Sequence, residues 1–244
     1  MPHHLAVPAG RFTVDPIGAA LVVSGADDDL VAARLAAALP AEADLVTVVC
    51  ASPVTGSSEL FDVLPDLLGR WLGGSSAGVR LLLLGAAAPV TTETAQRLAD
   101  DIGQVVVAPI GPVGVGAEAR TAAREGWVRC TPGRPPRQEP PWHPAPPWAA
   151  TLTQGPAWGG RVGEHTIEAV PAGLWLRPAG ALDAPGRAAD AVQQHPDRLR
   201  LIVGDGTRAP IDAGAVADLV AAVPETASEE LVILPGGVLP RSGC

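Results

Sequence analysis

The chain of 244 residues contains no lysine, no asparagine and no tyrosine, one methionine and three cysteines. All 17 basic residues are therefore arginine. The missing types have A/T-rich codons, whereas Ala, Gly, Pro, Arg and Val abound. That bias points to a GC-rich genome of the actinobacterial kind and carries no chemistry. The three cysteines, Cys50, Cys130 and Cys244, include no CxxC pair. This spacing argues against a disulfide framework and against a zinc ribbon. Basic clusters are also scarce. The only basic cluster is Arg129, Arg134 and Arg137, in a chain of net charge −9, so a nucleic-acid footprint is not expected. No apolar run approaches the ~20 residues that span a bilayer. The opening "MPHHLAVPAGRF" has neither the basic region nor the apolar core of a signal peptide. The expected location is cytoplasmic, with signal-independent export left open.

What is present is ample material for a core. The chain is 47% hydrophobic, and strand-like runs alternate with helix-like ones. The strand-like runs are Ala19–Gly25, Asp44–Cys50, Val79–Leu84, "QVVVAPIGPV" at 104–113 and "WVRC" at 127–130. The helix-like runs are "ADDDLVAARLAAALP", "SSELFDVLPDLLGRWLGG", "VTTETAQRLADDIG" and "AEARTAAREG". Asp27 to Asp29 sit as cap and first-turn acids, and Pro65 interrupts the second helix. Near-continuous apolar strands alternating with helices predict mainly parallel sheets flanked by helices.

Composition changes at Thr131. Nine prolines fall between Pro132 and Pro156, with Trp142, Trp148 and Trp158 among them. The expectation is an α/β unit over 1–130, a Pro/Trp-rich linker over 131–160 and a second, shorter α/β unit over 161–244. The three tryptophans are the candidate interaction residues. They either pin the linker onto its neighbours or present a recognition peptide to a partner protein. After the linker the pattern resumes. "VPAGLWLRPAGAL" at 170–182 echoes 7–19, "RLRLIVGDG" parallels "ADLVTVVCA", "IDAGAVADLVAAVP" parallels 58–72, and "EELVILPGGVLP" parallels "GVRLLLLGAAAP". This pattern predicts two related units from an internal duplication, the second one incomplete. A homo- or hetero-oligomeric partner would then complete its sheet.

Candidate chemistry is thin. Cys50 ends a strand, and a nucleophilic role would require a lowered pKa and a nearby base, for which His165 is the candidate from the second unit. A buried, inert thiol is the competing reading. Cys130, Cys244 and His195 have no partner at useful spacing. Asp205 in "GDGTR" reads as a turn. "GPVGVG" lacks the Lys and Ser/Thr of a phosphate loop, and "GGSSAG" reads as a loop, not a nucleophile elbow. No catalytic, cofactor or metal residue is assigned.

One stretch resembles a known family. "VRLLLLGAAAPVTTETAQRLADDIGQVVVAPIGPVGVG" with "GWVRCTPG" is similar to caspase-like (CHAT-like) cysteine-peptidase-fold modules of large actinobacterial, polymorphic-toxin-type proteins. Ala95–Gly103, Val105–Val113 and Gly126–Gly133 carry the likeness, about a quarter of the chain. The resemblance implies a cysteine nucleophile after the strand Val79–Leu84 and a histidine after the strand Asp44–Cys50. This chain has Gly85 or Ala86 at the first position and "CASPV" at the second. The expected function is a catalytically inactive caspase-like scaffold or interaction module within a toxin, secretion or conflict assembly. The alternatives are a hydrolase using Cys50 and a partner-binding module acting through the Pro/Trp linker.

Overall fold

The structure, a computed structural model, describes residues 12–25, 30–51, 59–85, 90–116, 119–152, 159–179, 189, 191–195, 197–204, 211–223 and 229–233. It is mixed α/β, with four α-helices among the described residues. The chain divides into two compact units. One comprises Met1–Val113 with Trp127–Glu139, the other Gly114–Gly126 with Pro140–Cys244. This division differs from the expected boundaries at 130 and 160.

The first unit is built on one seven-stranded sheet of order β1-β2-β3-β4-β5-β8-β9. Its strands are β1 (Thr13–Ile17), β2 (Ala20–Ser24), β3 (Leu45–Cys50), β4 (Gly78–Leu83), β5 (Val106–Pro109), β8 (Trp127–Thr131) and β9 (Arg134–Glu139). β2 to β5 are parallel and consecutive; β1, β8 and β9 are antiparallel. The connections β2–β3, β3–β4 and β4–β5 carry α1 (Leu30–Ala38), α2 (Leu60–Leu72) and α3 (Thr92–Ile102). Because strand order advances in one direction, right-handed crossovers place all three helices on the same face of the sheet.

The two faces differ accordingly. Register aligns Val23, Cys50 and Leu83 in one row and Leu21, Val48 and Leu81 in another, all apolar. Cys130 shares the apolar parity through Val79 and Val106, and its Sγ lies 4.0 Å from the Thr92 carbonyl at the start of α3. This is therefore the helix-covered face. The opposite face carries Thr47, Arg80, Val107, Arg129 and Arg137 in one cross-strand row. Arg80 is buried there in a bidentate pair with Glu42, both contacts at 3.0 Å, and its guanidinium stands 5.3 Å from the Trp127 ring centroid. Thr47 donates to the same carboxylate at 3.2 Å. A charge taken out of water needs this degree of satisfaction to be tolerated.

Local chemistry explains the helix limits. Thr91 caps α3, its hydroxyl accepting the Thr94 N–H at 3.1 Å, and Gly103 ends it at φ +69°, a conformation that costs glycine little. α2 runs through Pro65 instead of breaking there, burying Leu60, Leu64, Leu67, Leu68 and Leu72. Packing of that leucine stripe outweighs the one backbone bond that proline removes.

Over its described residues, 131–152 and 159–160, the expected linker forms short strands and a 3-10 helix. Pro135 and Pro136 lie in β9, at the edge of the sheet, where the register with β8 is irregular between Arg129 and Thr131. Residues without an N–H are tolerated at such a bulge. β10 (Trp142–His143) then joins β7 (Thr121–Ala123) and β6 (Val113–Val115) in a three-stranded sheet, followed by a 3-10 helix, Pro147–Leu152. The predicted helix "AEARTAAREG" is thus a strand over Thr121–Ala123. Its three residues are fully buried, and their pairing with Trp142–His143 overrides the helix propensity of alanine.

The second unit's main sheet has the order β11-β12-β13-β14-β15. These strands are Gly159–Val162, His165–Val170, Gly173–Pro178, Leu199–Val203 and Glu229–Ile233. The first three are antiparallel and the last three parallel. α4 (Ala213–Ala222) falls between β14 and β15. Trp142, Trp148, Leu174, Leu176, Leu201 and Leu219 belong to one buried cluster of this unit.

Candidate functional site

In an open parallel sheet, ligands bind beyond the carboxyl ends of the strands, where a reversal of strand order opens a crevice. The first unit's parallel strands end at Ser24, Cys50, Leu83 and Pro109. Their order has no reversal among the described strands, so the sheet topology supplies no switch point between them. The ladder also continues past the strand ends: Ala51 N–H donates to the Val23 carbonyl at 2.9 Å, and Leu84 N–H to the Cys50 carbonyl at 3.1 Å. β3 and β4 are zipped together at the edge where the resemblance implies an imidazole facing a thiol.

The two implied positions are neighbours, since Cys50 pairs with Leu83. Gly85 is exposed at φ +60°, a turn residue without a side chain. Ala86 lies outside the described residues. Cys50 occupies the strand on which the base is implied, and it points into the helix-covered face. Its exposure is 0%, and burial pushes its thiol up to about 12. Only a thiolate attacks or binds metal, and at neutral pH this sulfur is a protonated packing group. Cys130 is likewise buried, its pKa raised first by desolvation and then by the negative charge of Asp100.

The three described histidines are engaged in structure. His165, buried on β12 of the second unit, accepts the Asp212 N–H at Nε2 over 3.4 Å, at the entry to α4. His195 Nδ1 accepts the Asp197 N–H at 3.2 Å within an exposed turn. His143 is buried in β10, and its carbonyl accepts the Thr121 hydroxyl at 2.9 Å. No group of three potential metal donors occurs among the described residues.

The glycine-spaced run at 111–116 contains the strand β6 and opens no α-helix. Gly73–Ala77 of "GGSSAG" is a loop, in which the Ser75 hydroxyl accepts the Ala77 N–H at 3.1 Å. Asp27 to Asp29, Asp205, Cys244 and Trp158 lie outside the described residues.

Trp142 and Trp148 are not displayed on a linker. They are 3% and 4% exposed, meet edge to face with centroids 4.7 Å apart, and belong to the second unit's core. The Trp142 indole N–H donates to the Val170 carbonyl at 2.9 Å. Proline suppresses regular structure in sequence, but flanking prolines here only delimit short elements that tuck the rings inward.

Two polar constellations were not singled out in the sequence. Besides the Arg80–Glu42 pair, the second unit buries Glu168 between Arg124, at 3.0 Å, and Arg177. The Arg177 guanidinium stands 5.4 Å from the Trp175 ring centroid. The partners are distant in sequence, and strand spacing alone does not bring Arg124 to Glu168. A groove of about 720 Å³ runs along α3 beside Pro136, lined by Thr92, Glu93, Gln96, Arg97 and Asp100. It contains no nucleophile–base pair. Among the described residues, no helix is long and apolar enough to cross a membrane. Compared with protein-family models, curated proteins and solved structures, the chain shows no match.

Proposed function

We propose that this chain is a catalytically inactive caspase-like module, built from a duplicated α/β unit, that acts as a scaffold or protein-interaction domain in a toxin, secretion or conflict assembly. The observation that carries the inactive reading is Cys50: completely buried, with its thiol pushed to about 12, on the strand end where the resemblance implies a base. Covalent cysteine catalysis requires an accessible thiolate beside an imidazole. The neighbouring turn offers Gly85 in place of a nucleophile.

The duplication is supported by element order. In each unit an antiparallel hairpin, β1–β2 or β12–β13, leads into parallel strands, β3–β4 or β14–β15, with a helix between those two. This pairing matches β13 with β2. The sequence echo of 170–182 with 7–19 is therefore offset by one strand, while the other three correspondences keep their places. In the first unit β4 has a further parallel neighbour, β5. The equivalent edge of β15 has no partner strand among the described residues. On this reading a strand from a protein partner or a second copy completes the second sheet there.

The test is Cys50→Ala. An inert packing residue predicts a folded protein whose association with its physiological complex is unchanged. Loss of function in a Cys50→Ala variant that still folds and melts like the parent would overturn the proposal.

A further inference from the structure

The face of the first unit's sheet opposite α1, α2 and α3 carries a row of arginines whose neutralisation falls toward the sheet edge. Arg80, on β4, is buried and held bidentate by Glu42. Arg129, on β8, is about a third exposed and meets the Glu139 carboxylate. Arg137, on the edge strand β9, is directly opposite Arg129, and Arg134 is opposite Thr131 on the same face. Residues 134–138 are exposed, and neither Arg134 nor Arg137 makes an ion pair among the described residues. The hairpin Trp127–Glu139 thus holds three arginines against one glutamate, in a chain of net charge −9.

Like charges directly opposite each other across a strand pair destabilise it. Edge protection accounts for Pro135, Pro136 and charges on β9. It does not account for Arg129, which lies on the inner strand and faces Arg137. The two prolines also remove N–H donors from β9, so a partner is not captured there by strand addition. Recognition falls to the guanidinium forks, whose geometry matches carboxylates.

We propose that the β8–β9 hairpin docks an acidic segment of a partner protein, with carboxylates against Arg129, Arg134 and Arg137. This rests on the reading of the chain as an interaction module and names the chemistry of its partner. A protein carboxylate ligand is favoured over nucleic acid. The patch spans two strands only, the rest of the molecule repels a long polyanion, and the one aromatic of the hairpin, Trp127, is buried and unavailable for base stacking. The groove along α3 does not suit an acidic segment, because Glu93 and Asp100 line it.

Fluorescence anisotropy of a fluorescein-labelled peptide of alternating Glu and Ser, titrated with the full chain at low ionic strength, tests the proposal. Binding is expected, and it weakens as salt shortens the screening length from about 30 Å at 0.01 M to about 10 Å at 0.1 M. Arg134→Glu with Arg137→Glu weakens it on the order of tenfold. The same variant melts at or above the parent's temperature, because an opposed pair replaces a like-charged one. Arg134→Gln with Arg137→Gln serves if the reversal does not fold. Three results would overturn the proposal: no binding by the parent, affinity indifferent to the substitutions, or equal or tighter binding of a single-stranded oligonucleotide of the same charge. Failure of the peptide to bind leaves the inactive-module reading standing on Cys50. Failure of that reading at Cys50 does not depend on the peptide.

Discussion

Replacing Trp142 separates a structural ring from a recognition ring. The side chain is 3% exposed, packs edge to face on Trp148 at 4.7 Å, and donates its indole N–H to the Val170 carbonyl at 2.9 Å. Trp142→Ala removes a large apolar surface from a close-packed cluster that includes Leu174, Leu176 and Leu201. Such truncations cost about 3–5 kcal/mol, and the carbonyl left without its donor adds about 1 kcal/mol. Trp142→Phe keeps most of the ring packing and loses mainly the hydrogen bond, for a cost of about 1–3 kcal/mol. Each kcal/mol lowers the melting temperature by about 2–8 °C for domains of this size range. Calorimetry on the two variants should therefore show the melting temperature lowered in the order Ala, then Phe, then parent. An unaltered melting profile in Trp142→Ala would refute the structural account and return the ring to a partner-facing role.

Two further outcomes follow from backbone and burial. Gly173 sits at φ +155°, and a Cβ there would meet the Arg200 carbonyl oxygen at 2.1 Å across the β13–β14 pair. Gly173→Ala should cost about 3 kcal/mol or more in denaturant unfolding, whereas Gly133→Ala, at φ +66° with nothing within 4 Å, should cost only about 1 kcal/mol. Equal costs would contradict the strand register. Cys50 supplies a pH signature. Its folded pKa, about 12, is raised from the ordinary 9.0, so its contribution is fully present below pH 9 and is lost as pH rises toward 12. Stability should fall over that window by up to about 1.4 kcal/mol per pH unit, and Cys50→Ala should remove that component of the slope.

Much of the first sheet was legible because its central strands are buried on both faces and read as continuous apolar runs, as in "LVTVVC" and "GVRLLL". The same continuity hid which way each residue points. With Val48 and Val49 on opposite faces of the strand beside Cys50, only the cross-strand register, together with the contact of Cys130 to the start of α3, shows that its sulfur turns into the helix layer. The caps of α3 were readable from Thr91 and Gly103, whose local chemistry needs no tertiary context. The stretch 119–148 is not legible for the opposite reason. Alanine at 122 and 123 favours a helix in isolation, and eight prolines between 132 and 147 argue against regular structure, but non-local pairing with Trp142–His143 decides the outcome. Prolines exclude a central strand, not an edge, and β9 is at the edge. The emptiness of the candidate site was visible in "GAAAP". The zipped strand ends and the absence of a strand-order reversal were not, since both depend on which strands become neighbours.

The most direct measurement is alkylation of the native protein by iodoacetamide at neutral pH, with the modified cysteines located by mass spectrometry and the urea-denatured chain as reference. Cys50 should remain unmodified while the protein is folded and react at once when it is unfolded. Rapid modification of Cys50 in the native state, at a rate that climbs with a midpoint near neutrality, would mean an exposed thiolate at the end of β3 and would contradict the account.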